Sequence, residues 1–228
     1  MIRDNLECVQ EKIRLAAKEA GTDDVTLIAV TKTHPVDVIN EAISLGVTDI
    51  GENKVQEVCE KYESVNPVKW HLIGHLQTNK VKNIVDKVSL IHSVDSIKLL
   101  DEIEKQSSSK NIITNILIQI NISGEESKFG IEPQETERFL EYAEGLKNVK
   151  IQGLMTIAPK IYGDFTNKIH FENIRRIFVD NQKKNYHNSN MRYLSMGMSG
   201  DYEEAIKAGA NMVRVGSAIF GKRDYGIK

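Results

Sequence analysis

Val25-Thr26-Leu27-Ile28-Ala29-Val30-Thr31-Lys32-Thr33-His34-Pro35 is the stretch on which the fold turns. Its first six residues have the length and β-branched content of a buried strand, and a lysine stands where that strand should end. A long amine there either snorkels into water or does chemistry. The turn itself contains no glycine. An open dinucleotide-type sheet usually places G-x-G-x-x-G after its first strand, so this turn argues against that arrangement.

The same run opens a series of short apolar segments, each followed by a helical pattern. The pairs are 25–31 with 36–45, 47–51 with 54–64, 70–74 with 79–87, and 89–94 with 96–106. They continue as 113–122 with 135–146, 149–155 with 165–184, 193–196 with 201–208, and 212–215 with 217–220. Eight strand–helix units predict an α/β fold, a parallel (β/α)8 barrel of the TIM type, with its reactive loops at the carboxyl ends of the strands. Ahead of them, Ile2, Leu6, Val9, Ile13, Ala16, Ala17 and Ala20 recur at helical spacing and Gly21 is placed as a stop. This predicts an extra amphipathic helix at the start. No low-complexity tract or linker divides the chain, so residues 1–228 read as one barrel domain.

Composition narrows the function classes. Lys+Arg 30 against Asp+Glu 32 leaves a net charge of -2, without the basic excess that a phosphate backbone would require, so no nucleic-acid partner is expected. Cys8 and Cys59 both fall in helical patterns and read as reduced thiols of a reducing compartment. Charges interrupt the first apolar residues, and nowhere do about 18 uncharged apolar residues run together, which predicts a cytoplasmic, soluble protein without a membrane partner.

In the barrel frame, Lys32 lies at the end of the first strand. Strand seven ends in Ser195-Met196-Gly197-Met198-Ser199-Gly200-Asp201 and strand eight in Arg214-Val215-Gly216-Ser217-Ala218. Either ending alone reads as a turn that needs glycine. Together, at the two loops where barrels frequently hold phosphate, they predict an anion site supplied by backbone N–H groups and by the hydroxyls of Ser199 and Ser217. A lysine across the mouth from such a site suggests a Schiff base with a phosphorylated carbonyl compound, either a sugar phosphate or pyridoxal phosphate. Arg214, two residues before Gly216, points to the same side of its strand. Beside a pyridine ring its permanent charge would keep the ring nitrogen unprotonated, and otherwise it would be the buried partner of a carboxylate.

Several motifs then carry a resemblance. Thr31-Lys32-Thr33, Gly51-Glu52-Asn53, the run from Trp70 to Lys80 and His92-Ser93-Val94-Asp95 resemble the pyridoxal phosphate homeostasis proteins, single-domain relatives of alanine racemase. So do Asn121-Ile122-Ser123 with Glu126, Ser127, Lys128 and Gly130, Gly153-Leu154-Met155, Leu194 to Ser199, and Val213 to Gly216 with Phe220 to Tyr225. The resemblance implies that Lys32 forms an internal aldimine with pyridoxal 5'-phosphate, that Arg214 faces the ring nitrogen, that Asn53 lies beside the ring, and that Ser199, Gly216 and Ser217 hold the phosphate. Ser217 replaces the threonine of many members, one hydroxyl for another. The resemblance also implies that a racemase takes its second base from an additional β domain, so robust racemase activity is not expected. What it implies instead is a monomeric carrier that buffers the coenzyme and delivers it through transient contact with apoenzymes. The rival readings are a weak amino-acid racemase or other lysine-aldimine enzyme, and a sugar-phosphate aldolase.

The remaining candidates have simpler readings. His71 and His75, four apart, straddle a strand end rather than sharing a helix face, which disfavours metal binding and leaves His75 to line the coenzyme pocket. His34 reads as a turn residue before Pro35, with proton movement as the alternative. Lys128 reads as part of a solvated loop, and Tyr225 either closes over the pocket or packs. Ile169, Ile174, Ile177 and Phe178 form the expected core stripe of the long helix.

Overall fold

Near-continuous apolar runs suit strands covered on both faces, and all eight become parallel strands of one closed barrel in chain order. The computed structural model describes residues 1–22, 24–159 and 166–221. Its strands are β1 (Thr26–Val30), β2 (Asp49–Glu52), β3 (Lys69–Leu72), β4 (Leu90–Val94), β5 (Thr114–Ile120), β6 (Val149–Thr156), β7 (Ser189–Ser195) and β8 (Met212–Val215). The ring closes between the first and last strands, with Ile28 opposite Arg214 and Ala29 opposite Val215.

Helix α1 (Ile2–Ala20) precedes the barrel, as the opening periodicity predicts, and buries Leu6, Val9, Ile13, Ala16 and Ala17. Gly21 ends it in the left-handed conformation, φ 68°, while the Thr22 N–H returns to the Ala17 carbonyl at 3.0 Å. The outer layer continues with α2 (Val36–Ser44), α3 (Val55–Lys61), α4 (Ile97–Ser109), α5 (Thr136–Ala143), α6 (Lys168–Gln182), α7 (Tyr202–Lys207) and α8 (Ser217–Phe220). Helix α1 packs against α7 and α8, and the Asn5 amide donates to the Ile219 carbonyl at 2.9 Å.

The third unit departs from expectation. Where an α-helix over 79–87 is predicted, the chain forms a 3-10 helix, Thr78–Asn83. Thr78, Asn79, Val81 and Asn83 are poor helix formers, and a short 3-10 segment still buries Val81 while Ile84 and Val85 pack below it. The long helix also turns a different face inward. Phe171, Ile174 and Phe178 are buried and Ile177 is half-buried, whereas Ile169 is 63% exposed. Ile169 lies two residues before Phe171, about 200° around the helix from it. Finally, β7 begins at Ser189, earlier than the expected 193, because Ser189, Asn190 and Arg192 hide the strand behind polar side chains.

Two apolar layers sit on either side of the sheet. The larger lies between strands and helices, and the smaller fills the barrel with Ile28, Leu90, Leu117, Met155 and Met212. Beside that plug several inward positions are polar, with Asp49, His71, His92, Ser195 and Arg214 all buried. Among the described residues no helix is long and apolar enough to cross a membrane.

Candidate functional site

The six residues singled out from the strand ends surround one cavity at the carboxyl-terminal mouth of the barrel. Lys32, Asn53, Ser199, Arg214, Gly216 and Ser217 line a space of about 600 Å³, within the usual range for small-molecule sites. Val30, Ile73, Ile157 and Met198 supply its apolar walls.

The loop carrying Lys32 is tied down by a charged cluster. Glu52, with no exposed side-chain surface, accepts from the Thr31 hydroxyl at 2.8 Å and from the Lys61 ammonium at 2.9 Å. Lys61 also pairs with Glu57 at 2.9 Å and reaches the Thr31 carbonyl at 3.5 Å. Glu57 in turn accepts from the Thr33 N–H at 2.7 Å, holding Thr33 at φ 68°, a conformation that β-branched residues seldom adopt. Burial raises the Glu52 carboxyl above its ordinary range despite the lysine. Burial pulls the Lys61 ammonium down, but two carboxylates push it further up.

On the opposite wall, Arg214 is 3% exposed. It donates from Nη1 to Ser195 Oγ at 2.7 Å and from Nη2 to the Thr156 carbonyl at 2.8 Å. Burial lowers its pKa to about 10, against a raising influence from Asp201, so it stays cationic at neutral pH. Among the described residues no carboxylate pairs with it directly.

The loops after β7 and β8 are laced together. Ser199 Oγ accepts from the N–H of Gly216 at 3.1 Å and of Ala218 at 3.4 Å. Asp201 accepts from the Met198 N–H at 2.7 Å and from the Asn167 amide at 2.9 Å. The backbone approaches closely here: a Cβ on Gly216 would lie 3.2 Å from Val30 Cβ, and one on Gly197 would lie 2.6 Å from Ala205 Cβ at φ +91°. On the side of Asn53, a Cβ on Gly74 would meet the Asn53 carbonyl oxygen at 2.3 Å. Asn53 is therefore seated against the backbone of Gly74.

The other candidates go elsewhere. His75 does not line this cavity; it borders a neighbouring one with Asn53, Lys54, Gln77 and Lys80, stacks on Phe129 at 3.8 Å between centroids and approaches Asp95 at 3.4 Å. His71 turns into the barrel, bonded to Asp49 and His92, so the two histidines share no site. His34 rests against Phe220 at 4.6 Å. Lys128 pairs with Glu125 at 2.7 Å in the loop after β5. Tyr225 lies outside the described residues. Sequence reading missed Ser195 beside Arg214, His92 and Asp49 further along the same buried line, and the cluster of Glu52 with Lys61. The available signal was parity: each of the first three is an inward position on its strand.

The closed parallel barrel with its added first helix belongs to the class of the alanine racemase amino-terminal domain. The family model described as alanine racemase, N-terminal domain, matches residues 5–224. Alanine racemase of Clostridium difficile 630 shares the fold, with a TM-score of 0.72 at 13% identity over 95% of this chain and 61% of the racemase. A pyridoxal phosphate homeostasis protein of Aquifex aeolicus is 42% identical over 226 residues, 97% of this chain and 98% of the relative. PipY of Synechococcus elongatus PCC7942, solved with PLP bound, superposes with a TM-score of 0.84 at 30% identity, covering 97% of this chain and 100% of that one. The chain belongs to the pyridoxal phosphate homeostasis proteins.

Proposed function

We propose that this protein binds pyridoxal 5'-phosphate covalently at the barrel mouth, as a Schiff base on Lys32, and serves to buffer the coenzyme in the cytoplasm and deliver it to apoenzymes. The observation that carries the reading is the single cavity shared by Lys32, Arg214, Ser199, Gly216 and Ser217. The donor set fits the group at both ends. Amides and hydroxyls of the loops after β7 and β8 suit a phosphate, and the close backbone approach at Gly216 leaves that wall bare of side chain. The bound coenzyme supplies an electrophilic aldehyde carbon. Lys32 would hold that carbon through a reversible bond from its amine, with water as the group lost on binding and regained on release. Arg214 places a permanent cation where the ring nitrogen would lie, disfavouring its protonation and with it the electron-sink chemistry of an enzyme. Holding and releasing is the function this arrangement serves best.

Two experiments test it. Protein loaded with pyridoxal phosphate and reduced with borohydride should carry a pyridoxyl group on the peptide containing Lys32, and labelling of a different lysine would overturn the site. Loaded protein mixed with a pyridoxal-dependent apoenzyme and a trap for free aldehyde should still activate the apoenzyme; loss of activation in the trap would overturn direct delivery. Solvent deuterium entering the α-carbon of an amino acid with sustained turnover would favour an enzyme instead.

A further inference from the structure

An unbroken hydrogen-bonded line runs down the inside of the barrel from Arg214. Its guanidinium donates to Ser195 Oγ at 2.7 Å. Ser195 Oγ lies 3.1 Å from His92 Nδ1, His92 Nε2 lies 3.0 Å from His71 Nδ1, and His71 Nε2 lies 2.9 Å from Asp49 Oδ1. The Thr48 hydroxyl donates to the other Asp49 oxygen at 2.8 Å. The line therefore joins β8, β7, β4, β3 and β2 across the barrel. At its far end Asp49 and His71 border a cavity of about 370 Å³ at the amino-terminal side.

Proton counting gives the line one direction. Asp49 only accepts, so His71 donates to it from Nε2; where each ring carries one hydrogen, His71 Nδ1 accepts from His92 Nε2, and His92 Nδ1 accepts from the Ser195 hydroxyl, which itself accepts from Arg214. Every hop has one hydrogen. The cation stands at the mouth and the anion at the floor, with one serine and two histidines between them. Burial, with His71 and Arg214 nearby, holds the His92 imidazole well below the usual range, which keeps a further proton out of the middle.

A buried arginine is most simply satisfied by a carboxylate in contact, yet here the contacts are a serine and a backbone carbonyl, while Asp201 acts on it without a hydrogen bond. The guanidinium keeps its full charge at the cavity while its plane is set by two acceptors, Ser195 and the Thr156 carbonyl. We infer that Ser195, His92, His71 and Asp49 are positioning residues for Arg214, a directional line anchored by Asp49 that orients the arginine toward the ring of the bound coenzyme. This inference rests on the proposed pyridoxal phosphate reading, and its test has one arm that does not.

In protein without coenzyme, long-range proton–nitrogen correlation spectra should show both His71 and His92 as Nε2–H tautomers. Asp49→Asn removes the anchoring charge and should move the ring nitrogens of His92, two links away, while Ser195→Ala should release its tautomer altogether. In loaded protein, Ser195→Ala should retain the coenzyme about tenfold more weakly, as loss of a hydrogen bond from a charged group implies. Ser195→Ala should also shift the coenzyme's absorbance, and Asp49→Asn should shift it in the same direction by less, although Asp49 does not border the mouth cavity. Finding His92 with its hydrogen on Nδ1, or finding its nitrogens and the coenzyme absorbance unmoved by Asp49→Asn, would overturn the inference. If the wild type takes up no coenzyme, the binding reading fails, and the nitrogen spectra alone decide the line: His92 signals that move with Asp49→Asn keep it, and signals that do not move overturn it.

Discussion

Replacing Lys61 with methionine should be among the most damaging single changes outside the cavity lining. In the wild type the lysine, 13% exposed, neutralises a carboxylate with no exposed surface, and Glu52 Oε2 has no hydrogen-bond partner among the described residues. Lys61→Met keeps most of the volume and leaves Glu52 with one hydrogen bond, from Thr31. Removing one member of a buried pair typically costs about 3–5 kcal/mol, which for a chain of this size lowers the melting temperature by roughly 6–20 °C. The pH dependence has a definite sign. The folded pKa of Glu52 already lies above its ordinary 4.5, so the folded state binds that proton more tightly than the unfolded state. Its carboxylate therefore costs stability above the folded pKa, and the cost fades as pH falls towards the unfolded value. Without Lys61 the folded pKa rises further and the relief extends over a wider acid-side window. Urea unfolding followed by circular dichroism at about pH 7.5 and about pH 5 should show a markedly smaller loss at the lower pH. The double variant Lys61→Met/Glu52→Gln should recover most of the stability, since the stranded charge is gone. An equal loss at both pH values, a loss below about 1 kcal/mol, or no recovery in the double variant would refute the reasoning.

Other outcomes follow from the same geometry. Lys32→Ala should abolish borohydride-fixed pyridoxyl label while the circular dichroism spectrum and melting temperature stay near wild type. Gly74→Ala forces a Cβ to within 2.3 Å of the Asn53 carbonyl oxygen, so it should cost about 1–3 kcal/mol in urea unfolding and weaken coenzyme retention as Asn53 moves. Two glycines in one loop should behave oppositely: Gly197→Ala, at φ +91° and 2.6 Å from Ala205 Cβ, should lose at least 1 kcal/mol, whereas Gly200→Ala, with nothing within 4 Å, should stay within about 0.5 kcal/mol.

The barrel was legible because its strands are covered on both faces. β1 and β5 need no partner in sequence to declare themselves, since the apolar runs at 27–30 and 116–118, set between helical patterns, are what such a sheet demands. Lys32 and Arg214 were legible for a related reason, being cations set at the ends of apolar runs. Asp49–Glu52 is the opposite case. All four residues are buried, yet two are carboxylates whose compensating groups arrive from α3 and from β3, so only the closed structure explains how they are tolerated. The helix expected over 79–87 failed because periodicity does not separate a short 3-10 turn from an α-helix when both bury the same valines and isoleucines. His75 was misplaced because it follows β3 past Gly74 and stacks on Phe129, a contact between distant loops that spacing does not encode.

The seam between β1 and β8 bears on the order in which this protein can become functional. Lys32 follows the first strand to be synthesised, while Arg214, Gly216 and Ser217 belong to the last. On the proposed reading, seven strands without the eighth would leave the amine without the wall that carries Arg214, Gly216 and Ser217, reacting with aldehydes no more selectively than any surface lysine. Selectivity therefore appears only at ring closure, the contact of longest sequence separation and greatest loop-closure cost in the sheet. A ligand that bridges this seam adds its binding energy to that closing step, so it should slow the opening of the finished barrel far more than it hastens assembly.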